Sequence, residues 1–170
     1  EGKTRILDAS SAHRTNAAWQ YGLPELTAQT RAQIAAAQYV SNPGCYPQGF
    51  ILLVRPLIEA GLLSRDIPLR CNALSGYSGG GRQMIEQFQT MDANTANTLA
   101  VQSYGLDQDH KHLPEMTTFS GTSVAPIFVP TVANYDQGML TQIPLFAREL
   151  GGASPTQVHA ALAERYADEP

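Results

Sequence analysis

The sequence predicts a mixed α/β domain of α+β-like character, in which a largely antiparallel sheet carries helices on one face. Three observations predict it: an amphipathic helix at 47–60, two long β-type segments at 122–132 and 139–147, and a well-marked helix after Ser154. No G-x-G-x-x-G sequence follows a predicted strand, so the chain shows no dinucleotide-binding fold of its own.

The first half of the chain alternates strands and helices. The predicted elements are a strand at 4–8, an Ala/Gln-rich helix at 29–38, a brief strand ending at Val40, the helix at 47–60, a strand at 67–74 and a helix at 82–90. Pro56 should kink or loosen the helix at 47–60, because proline lacks a donor and crowds the carbonyl four residues earlier.

The second half begins with a polar stretch at 91–109 that has no clear pattern. A short helix then ends at Gly121, and the two β-type segments follow as a predicted antiparallel pair, joined by a turn that contains Asn134, Asp136 and Gly138. In the last helix Ser154 is the predicted N-cap, Pro155 takes the first position and Gln157 completes a capping box.

Composition excludes several function classes. The chain has 170 residues, 43% of them hydrophobic, 15% charged and a net charge of −4. Without a Lys/Arg cluster we expect no nucleic acid and no anionic membrane as partner. The first residue is Glu1 rather than Met, and a strand follows almost at once, which indicates a piece of a longer protein.

Cys45 lies in the sequence Ser-Asn-Pro-Gly-Cys-Tyr-Pro, at the start of the helix predicted at 47–60. Free amides and the helix dipole favour an anion there, and the thiolate is the nucleophilic form of cysteine. The alternative is a small buried cysteine without chemistry. Cys45 and Cys71 are too few for a disulfide framework, so we predict a reducing cytoplasm and a Cys71 in the core. His110 and His112 alone do not make a metal site, and no metal is predicted.

Five sequence blocks occur in order along the chain. They are Asp8–Arg14, Trp19–Leu26, Asn42–Tyr46, Ser75–Arg82 and His110–Glu115. Together they closely resemble the N-acetyl-γ-glutamyl-phosphate reductases of arginine biosynthesis, in their shorter subtype. Each block alone is a weak signal, whereas five in register are specific.

That family is similar in plan to aspartate-semialdehyde and glyceraldehyde-3-phosphate dehydrogenases. The resemblance implies that residues 1–40 are the trailing part of an NADP-binding Rossmann domain and that 41–170 form a catalytic and dimerisation domain. NADP would be bound mainly outside this chain, and subunits would form a homodimer or homotetramer. The implied reaction is NADPH-dependent reduction of N-acetyl-γ-glutamyl phosphate to the semialdehyde and phosphate, through a cysteine thioester.

The resemblance implies Cys45 as the nucleophile. His110 and His112 lie two residues apart, so on an extended segment both face one pocket. Either suits acid–base catalysis near neutral pH, with a slight preference for His110 and substrate binding left to His112. Glu115 could orient an imidazole by accepting its N–H. Without the resemblance, the histidines would equally suit a polar surface at the start of a helix.

The implied substrate carries carboxylate and phosphate groups, which guanidinium groups bind in bidentate fashion. The candidates in the matched blocks are Arg14, Ser10, Asn42 and Arg82. Both arginines could instead be solvated surface residues.

The loop from Ser75 to Gly81 joins a predicted strand to a helix, and its glycines permit close approach of a ligand. The cofactor-contact candidates are Ser75, Gly76, Ser78 and Gly79. A tight β–α turn with no ligand explains the same residues equally well.

Two other functions stay open at this point. A cofactor-independent cysteine hydrolase or acyltransferase would use the same thiolate and histidines. A dimerisation module, inactive alone, would use the strands at 122–132 and 139–147 as an interface. An aminoadipate-type acyl phosphate is also a possible substrate, because one methylene changes discrimination by only ~1–3 kcal/mol.

Overall fold

The structure is a computed structural model that describes residues 4–169. The strands are β1 (Ile6–Asp8), β2 (Gln20–Tyr21), β3 (Tyr39–Ser41), β4 (Arg70–Gly76), β5 (Val101–Ser103), β6 (Ile127–Ala133) and β7 (Met139–Gln142). The helices are α1 (Thr30–Ala36), α2 (Cys45–Glu59), α3 (Arg82–Gln89), α4 (Ala93–Thr98), α5 (Leu113–Ser120) and α6 (Pro155–Arg165). Across this range no helix is both long and apolar enough to cross a membrane.

The strands form two sheets, and the mixed α/β prediction is confirmed. A small parallel sheet has the order β1-β3-β2, and a larger mixed sheet has the order β5-β6-β4-β7. In the larger sheet β4 runs parallel to β6, while β7 is antiparallel to β4 and β5 is antiparallel to β6. The predicted domain boundary at residues 40 and 41 falls within β3, which pairs with both β1 and β2 in the small sheet.

The predicted antiparallel pairing of 122–132 with 139–147 is wrong, because β4 lies between β6 and β7. The connection between them crosses the end of β4 and bonds to it: the amide of Gly76 donates to the carbonyl of Gly138 at 3.0 Å. A Cβ on Gly76 would lie 2.3 Å from the carbonyl oxygen of Asp136. A glycine at the end of β4 thus permits a crossing in place of a hairpin.

The helices follow the local sequence signals closely. The capping box at Ser154 and Gln157 is present at the start of α6, and Gly121 ends α5 in a left-handed conformation. Both α4 and β5 lie in the stretch 91–109, where no element was predicted. The signal for α4 was Asp92, whose carboxylate accepts hydrogen bonds from the amides of Asn94 and Thr95.

The core lies between the larger sheet and the helices α2, α5 and α6. Helix α2 contributes Phe50 and Val54, which pack with Phe128 of β6 and Met116 of α5. These four side chains are almost completely buried. On the opposite face of the sheet, side chains such as Leu140 are exposed. The same packing fixes the first turn of α2 against the loops that follow the strands.

Helix α2 continues through Pro56 to Glu59 without a break. The proline leaves the carbonyl of Leu52 without its usual donor four residues later. The hydroxyl of Tyr166, at the end of α6, donates to that carbonyl at 2.5 Å. The contact joins α6 to α2 at the carbonyl that the proline leaves without a helical donor, and burial raises the pKa of Tyr166 to about 12.

We expect Tyr166→Phe to lower the free energy of unfolding by about 1 kcal/mol, because it leaves the Leu52 carbonyl without a donor. Pro56→Ala supplies an N–H at position 56, so the same tyrosine change should have a smaller effect in that background. Urea unfolding of the two single variants and the double variant, followed by circular dichroism, measures this coupling. Equal effects of Tyr166→Phe in both backgrounds would contradict it.

Candidate active site

A cleft of about 390 Å³ lies where the first turn of α2 meets the loop before α5 and the glycine loop after β4. Among the residues predicted for the site, those lining the cleft are Cys45, His110, His112, Arg14, Asn42 and Gly79. Residues that sequence reasoning did not assign to the site also line it: Pro43, Tyr46, Gln48, Gly80, Met84, Tyr104 and Lys111.

Cys45 is the first residue of α2, and it is exposed to the cleft. The first amides of a helix have no internal acceptor and favour negative charge at this position. Cys71 differs in every respect, since it is buried in β4 and burial raises the pKa of its thiol to about 12. Only Cys45 of the two is therefore placed to act as a nucleophile.

Gly44 allows other side chains to approach the nucleophile. A Cβ on Gly44 would lie 2.7 Å from both Cδ2 and Nε2 of His112, and 2.8 Å from Nη1 of Arg14. Any larger residue would displace the imidazole or the guanidinium. The glycine before Cys45 is thus required by packing at the site.

Glu115 has a carboxylate that is only 1% exposed. It accepts hydrogen bonds from Nη1 of Arg14 at 2.9 Å, from the hydroxyl of Tyr21 at 3.0 Å and from the amide of Gly44 at 2.8 Å. We expected it to accept from an imidazole, and the structure corrects this, because its two oxygens face these three donors instead. Glu115 holds Arg14 and the turn before Cys45 in place.

The two histidines lie together, with ring centroids 4.7 Å apart. Nδ1 of His110 accepts the amide N–H of His112 at 3.2 Å, so the neutral ring of His110 carries its proton on Nε2. Burial, with the adjacent Lys111 charge, lowers the pKa of His110. Burial, followed by the charges of His110 and Arg14, lowers the pKa of His112 to about 3. Both rings are neutral at neutral pH.

Two cations face the cleft. The side chain of Arg14 is 10% exposed and is fixed by Glu115, whereas Lys111 is exposed between the two histidines. Arg82, predicted for the substrate, has a side chain 92% exposed and pairs with Glu86 one helical turn later. Sequence alone did not distinguish the buried arginine from the solvated one.

The other two substrate candidates have different positions. The hydroxyl and amide of Ser10 both donate to the carboxylate of Asp8, which closes a turn outside the cleft. The bond from the backbone amide of Ser10 is the main cause that lowers the pKa of Asp8, followed by the bond from its hydroxyl. Asn42 does line the cleft, and its backbone N–H donates to the backbone carbonyl of Asp8 at 2.7 Å.

Only Gly79 of the four cofactor candidates faces the cleft. The hydroxyl of Ser75 is 2.7 Å from that of Tyr46, Gly76 packs under the crossing chain, and the hydroxyl of Ser78 donates to the carbonyl of Asp136 at 2.6 Å. The contacts of these three residues are with the protein itself rather than with the cleft. A Cβ on Gly79 would meet only the hydroxyl of Ser75, at 3.6 Å, so its backbone borders open space.

Tyr46 and Tyr104 contribute hydroxyl groups that the prediction missed. Burial is the main cause that raises the pKa of each, so both are neutral donors at neutral pH. Tyr46 stood beside Cys45 in a matched block and could have been inferred from that neighbour. Tyr104 lies in the stretch 91–109, where no pattern was visible.

The model of the semialdehyde dehydrogenase dimerisation domain matches residues 45–170. The chain belongs to this family. Among curated proteins, N-acetyl-gamma-glutamyl-phosphate reductase from Brucella suis is 50% identical over 169 residues, which are 98% of this chain and 54% of that protein. The Brucella ovis reductase is 49% identical, with the same coverage. This chain therefore spans about half the length of the curated relatives it matches.

Solved structures agree on the fold. Aspartate semialdehyde dehydrogenase II from Vibrio cholerae matches with a TM-score of 0.62 at 16% identity, over 94% of this chain and 52% of that one. A second crystal structure of that enzyme, complexed with ASA, has the same TM-score at 15% identity. At this level of identity the likeness concerns the fold of the domain alone.

The depressed pKa of His112 makes stability depend on pH. An unfolded histidine binds a proton near pH 6.5, whereas folded His112 does so only near pH 3. Between these values the unfolded state binds more protons, so stability is lost as pH falls below about 6.5. The free energy of unfolding should then change by up to ~1.4 kcal/mol per pH unit for this one proton.

His112→Gln removes this titration, so its stability should fall less than that of the wild type between pH 6.5 and 4.5. Urea midpoints measured at steps across that range provide the test. His110→Gln is the matched control and should change the slope less, because its pKa is less strongly lowered. Parallel curves for wild type and His112→Gln would show that His112 is not buried as a neutral group.

Proposed function

We propose that this chain is the catalytic part of an NADPH-dependent reductase that converts N-acetyl-γ-glutamyl phosphate to N-acetylglutamate semialdehyde and phosphate. The observation that carries the proposal is the exposed Cys45 at a helix N-terminus, in one cleft with His110, His112 and Arg14. The names of the close relatives support the substrate. The activity would belong to arginine biosynthesis in the cytoplasm.

The cleft fits the approach of a nicotinamide cofactor from the side of the glycine loop. Gly79 and Gly80 present backbone there, and the position beside Gly79 is open. These two residues would contact the cofactor, with most of it held by residues outside this chain. When bound, NADPH supplies a hydride to the carbonyl carbon of an acyl group held on the enzyme.

The thiolate of Cys45 first attacks the acyl carbon of the substrate. A C–S bond forms, the C–O bond to the phosphate breaks, and phosphate leaves with the electron pair of that bond. The free amides at the start of α2 favour both the thiolate and the oxyanion of the tetrahedral intermediate. The product of this step is a thioester on Cys45.

His110 is suited to act on the oxygen of the reduced acyl group. Because Nδ1 accepts a backbone amide, Nε2 carries the proton and can donate a hydrogen bond to the alkoxide of the hemithioacetal. The alkoxide then collapses: the carbonyl bond re-forms, the C–S bond breaks, and the aldehyde leaves with Cys45 again a thiolate. His112 would line the pocket and bind the substrate.

Arg14 and Lys111 would bind the two anionic groups of the substrate. The guanidinium of Arg14 is held by Glu115 and is therefore oriented before the substrate arrives. We assign it the substrate carboxylate, which requires fixed geometry. Lys111 is an exposed point charge beside His110 and suits the phosphate that departs.

The exposed face of the larger sheet would be the surface of self-association. Ile127 and Leu140 are 56% and 51% exposed there, and the family description names a dimerisation domain. Strand pairing places both side chains on the face away from α2. A homodimer or homotetramer formed through this face would leave the cleft accessible.

We expect iodoacetamide to modify Cys45 at least about tenfold faster than Cys71 in this chain, because one thiol is exposed and the other is buried with a raised pKa. Peptide mass spectrometry after timed alkylation measures both sites in one sample. Cys45→Ser should leave the slow reaction of Cys71 unchanged. Equal rates at the two sites would remove the basis for a nucleophilic Cys45.

In the protein that contains this chain, Cys45→Ser should abolish NADPH-dependent reduction of N-acetyl-γ-glutamyl phosphate. Arg14→Lys should lower kcat/KM about 10- to 100-fold, mainly through KM, because a charged hydrogen-bonding group is worth about 1.5–3 kcal/mol. Arg82→Lys is the matched control and should be silent, since Arg82 is exposed.

The products of the same assay separate the alternatives. Release of N-acetylglutamate and phosphate without NADPH consumption would identify a hydrolase. Faster reduction of an aminoadipate-type acyl phosphate would change the substrate but retain the mechanism. No turnover with any of these acyl phosphates would reject the proposal.

A further inference from the structure

Gln108 has an unusual backbone conformation in the loop between β5 and α5. Within residues 4–169 it is the one residue other than glycine with a positive φ, 61°. For a residue with a side chain this left-handed region is unfavourable, because the Cβ comes too close to the following carbonyl oxygen. Such strain persists only where the surroundings fix it, and it concentrates at functional sites.

The side-chain amide of Gln108 is what fixes it. Its Nε2 donates to the carbonyl of Phe128 at 2.9 Å, and its Oε1 accepts from the amide of Phe128 at 2.8 Å. Strand β5 ends at Ser103, and the amide of Tyr104 still bonds to the carbonyl of Pro130. The side chain of Gln108 thus satisfies the next free peptide group along the edge of β6, as a further strand residue would.

The bonds between Gln108 and Phe128 lie directly beside His110. Only Asp109 separates Gln108 from His110, and the ring of Phe128 packs edge-on against the imidazole at 5.1 Å between centroids. A Cβ on Gly105 would lie 3.3 Å from Cδ2 of His110. The segment that leads to His110 is therefore bonded to β6 at two points, Tyr104 and Gln108.

We propose that Gln108 is a positioning residue for His110, which orients Nε2 towards Cys45 by binding the loop to the backbone of Phe128. The inference rests on the function proposed above, because it assigns His110 a role in the reaction. A glycine at 108 would accept the backbone conformation but lose both hydrogen bonds, and asparagine would be one methylene too short. Glutamine satisfies the requirement for reach and for both bonds.

The side chain of Gln108 has a structural role as well as the proposed positioning role. Gln108 is exposed, but its two bonds to the buried residue Phe128 are part-buried. Removing them takes these partners from the amide and carbonyl of Phe128, so stability should fall while the histidine segment becomes free to move. Measurements other than stability therefore distinguish the positioning role from a stabilising one.

Two variants test the proposal in the protein that contains this chain. Gln108→Met keeps the length of the side chain but removes both bonds, and Gln108→Gly removes them while relieving the backbone strain. Each should lower kcat up to about 100-fold with KM changed less than about threefold, because displacement of a catalytic group by ~1 Å has effects of that order. Gln102→Met, an exposed glutamine in β5, is the matched control.

The pH profile and the imidazole spectrum give readouts that a stabilising role would not change. The lower limb of kcat against pH should move upwards in both variants, as His110 becomes more solvated and its pKa rises. Nitrogen NMR of the histidines in this chain should show His110 as one tautomer in the wild type and as an average of two in Gln108→Met.

Unchanged kcat in both variants, or a loss matched by Gln102→Met, would overturn the proposal. So would an unchanged NMR spectrum of His110 in Gln108→Met. The spectrum is measured without turnover, so it also separates the two proposals. If the wild type proves inactive as a reductase, a tautomer change in Gln108→Met would still show that Gln108 orients His110.

Discussion

The buried carboxylate of Glu115 is the interaction on which the rest of the site depends. A charge removed from water is tolerated only when donors surround it, and here the donors come from the loop after β1, from β2 and from the turn before α2. Moving any one of these segments would take a hydrogen-bond donor away from the buried carboxylate. The same requirement that stabilises the fold thus helps to fix Arg14 and the backbone next to Cys45.

The helices were predictable because their signals are local. The apolar period of α2 and the capping box of α6 lie within one or two turns of the chain and need no knowledge of the fold. Strand order was not predictable in this way, since β4 separates β6 from β7 through a pairing between distant residues. The turn at Asn134 to Gly138 has the composition of a hairpin, and only the glycine at the end of β4 permits the crossing.

The site was predictable where residue type and chemistry coincide. A cysteine at a helix start and two spaced histidines indicate a nucleophile with its acid or base, and all three line one cleft. The sequence did not show where the side chains of Arg14 and Arg82 point. Both lie in matched blocks, but Arg14 is largely buried against Glu115 and Arg82 is in solvent. Glu115 illustrates the same limit, because its partners are set by segments 71 to 101 residues away.

The parallel pairing of β4 with β6 has a consequence for how the domain folds. It joins position 70 to position 127, and the glycine loop, both histidines and Glu115 all lie within the intervening crossover. Closing so long a loop is entropically unfavourable until the ladder forms, so we expect this step to be late and slow. Once it closes, the two histidines, Lys111 and the glycine loop after β4 reach Cys45 together. Partly folded chains would then expose a bare thiol at the end of a helix, vulnerable to oxidation before the rest of the cleft exists.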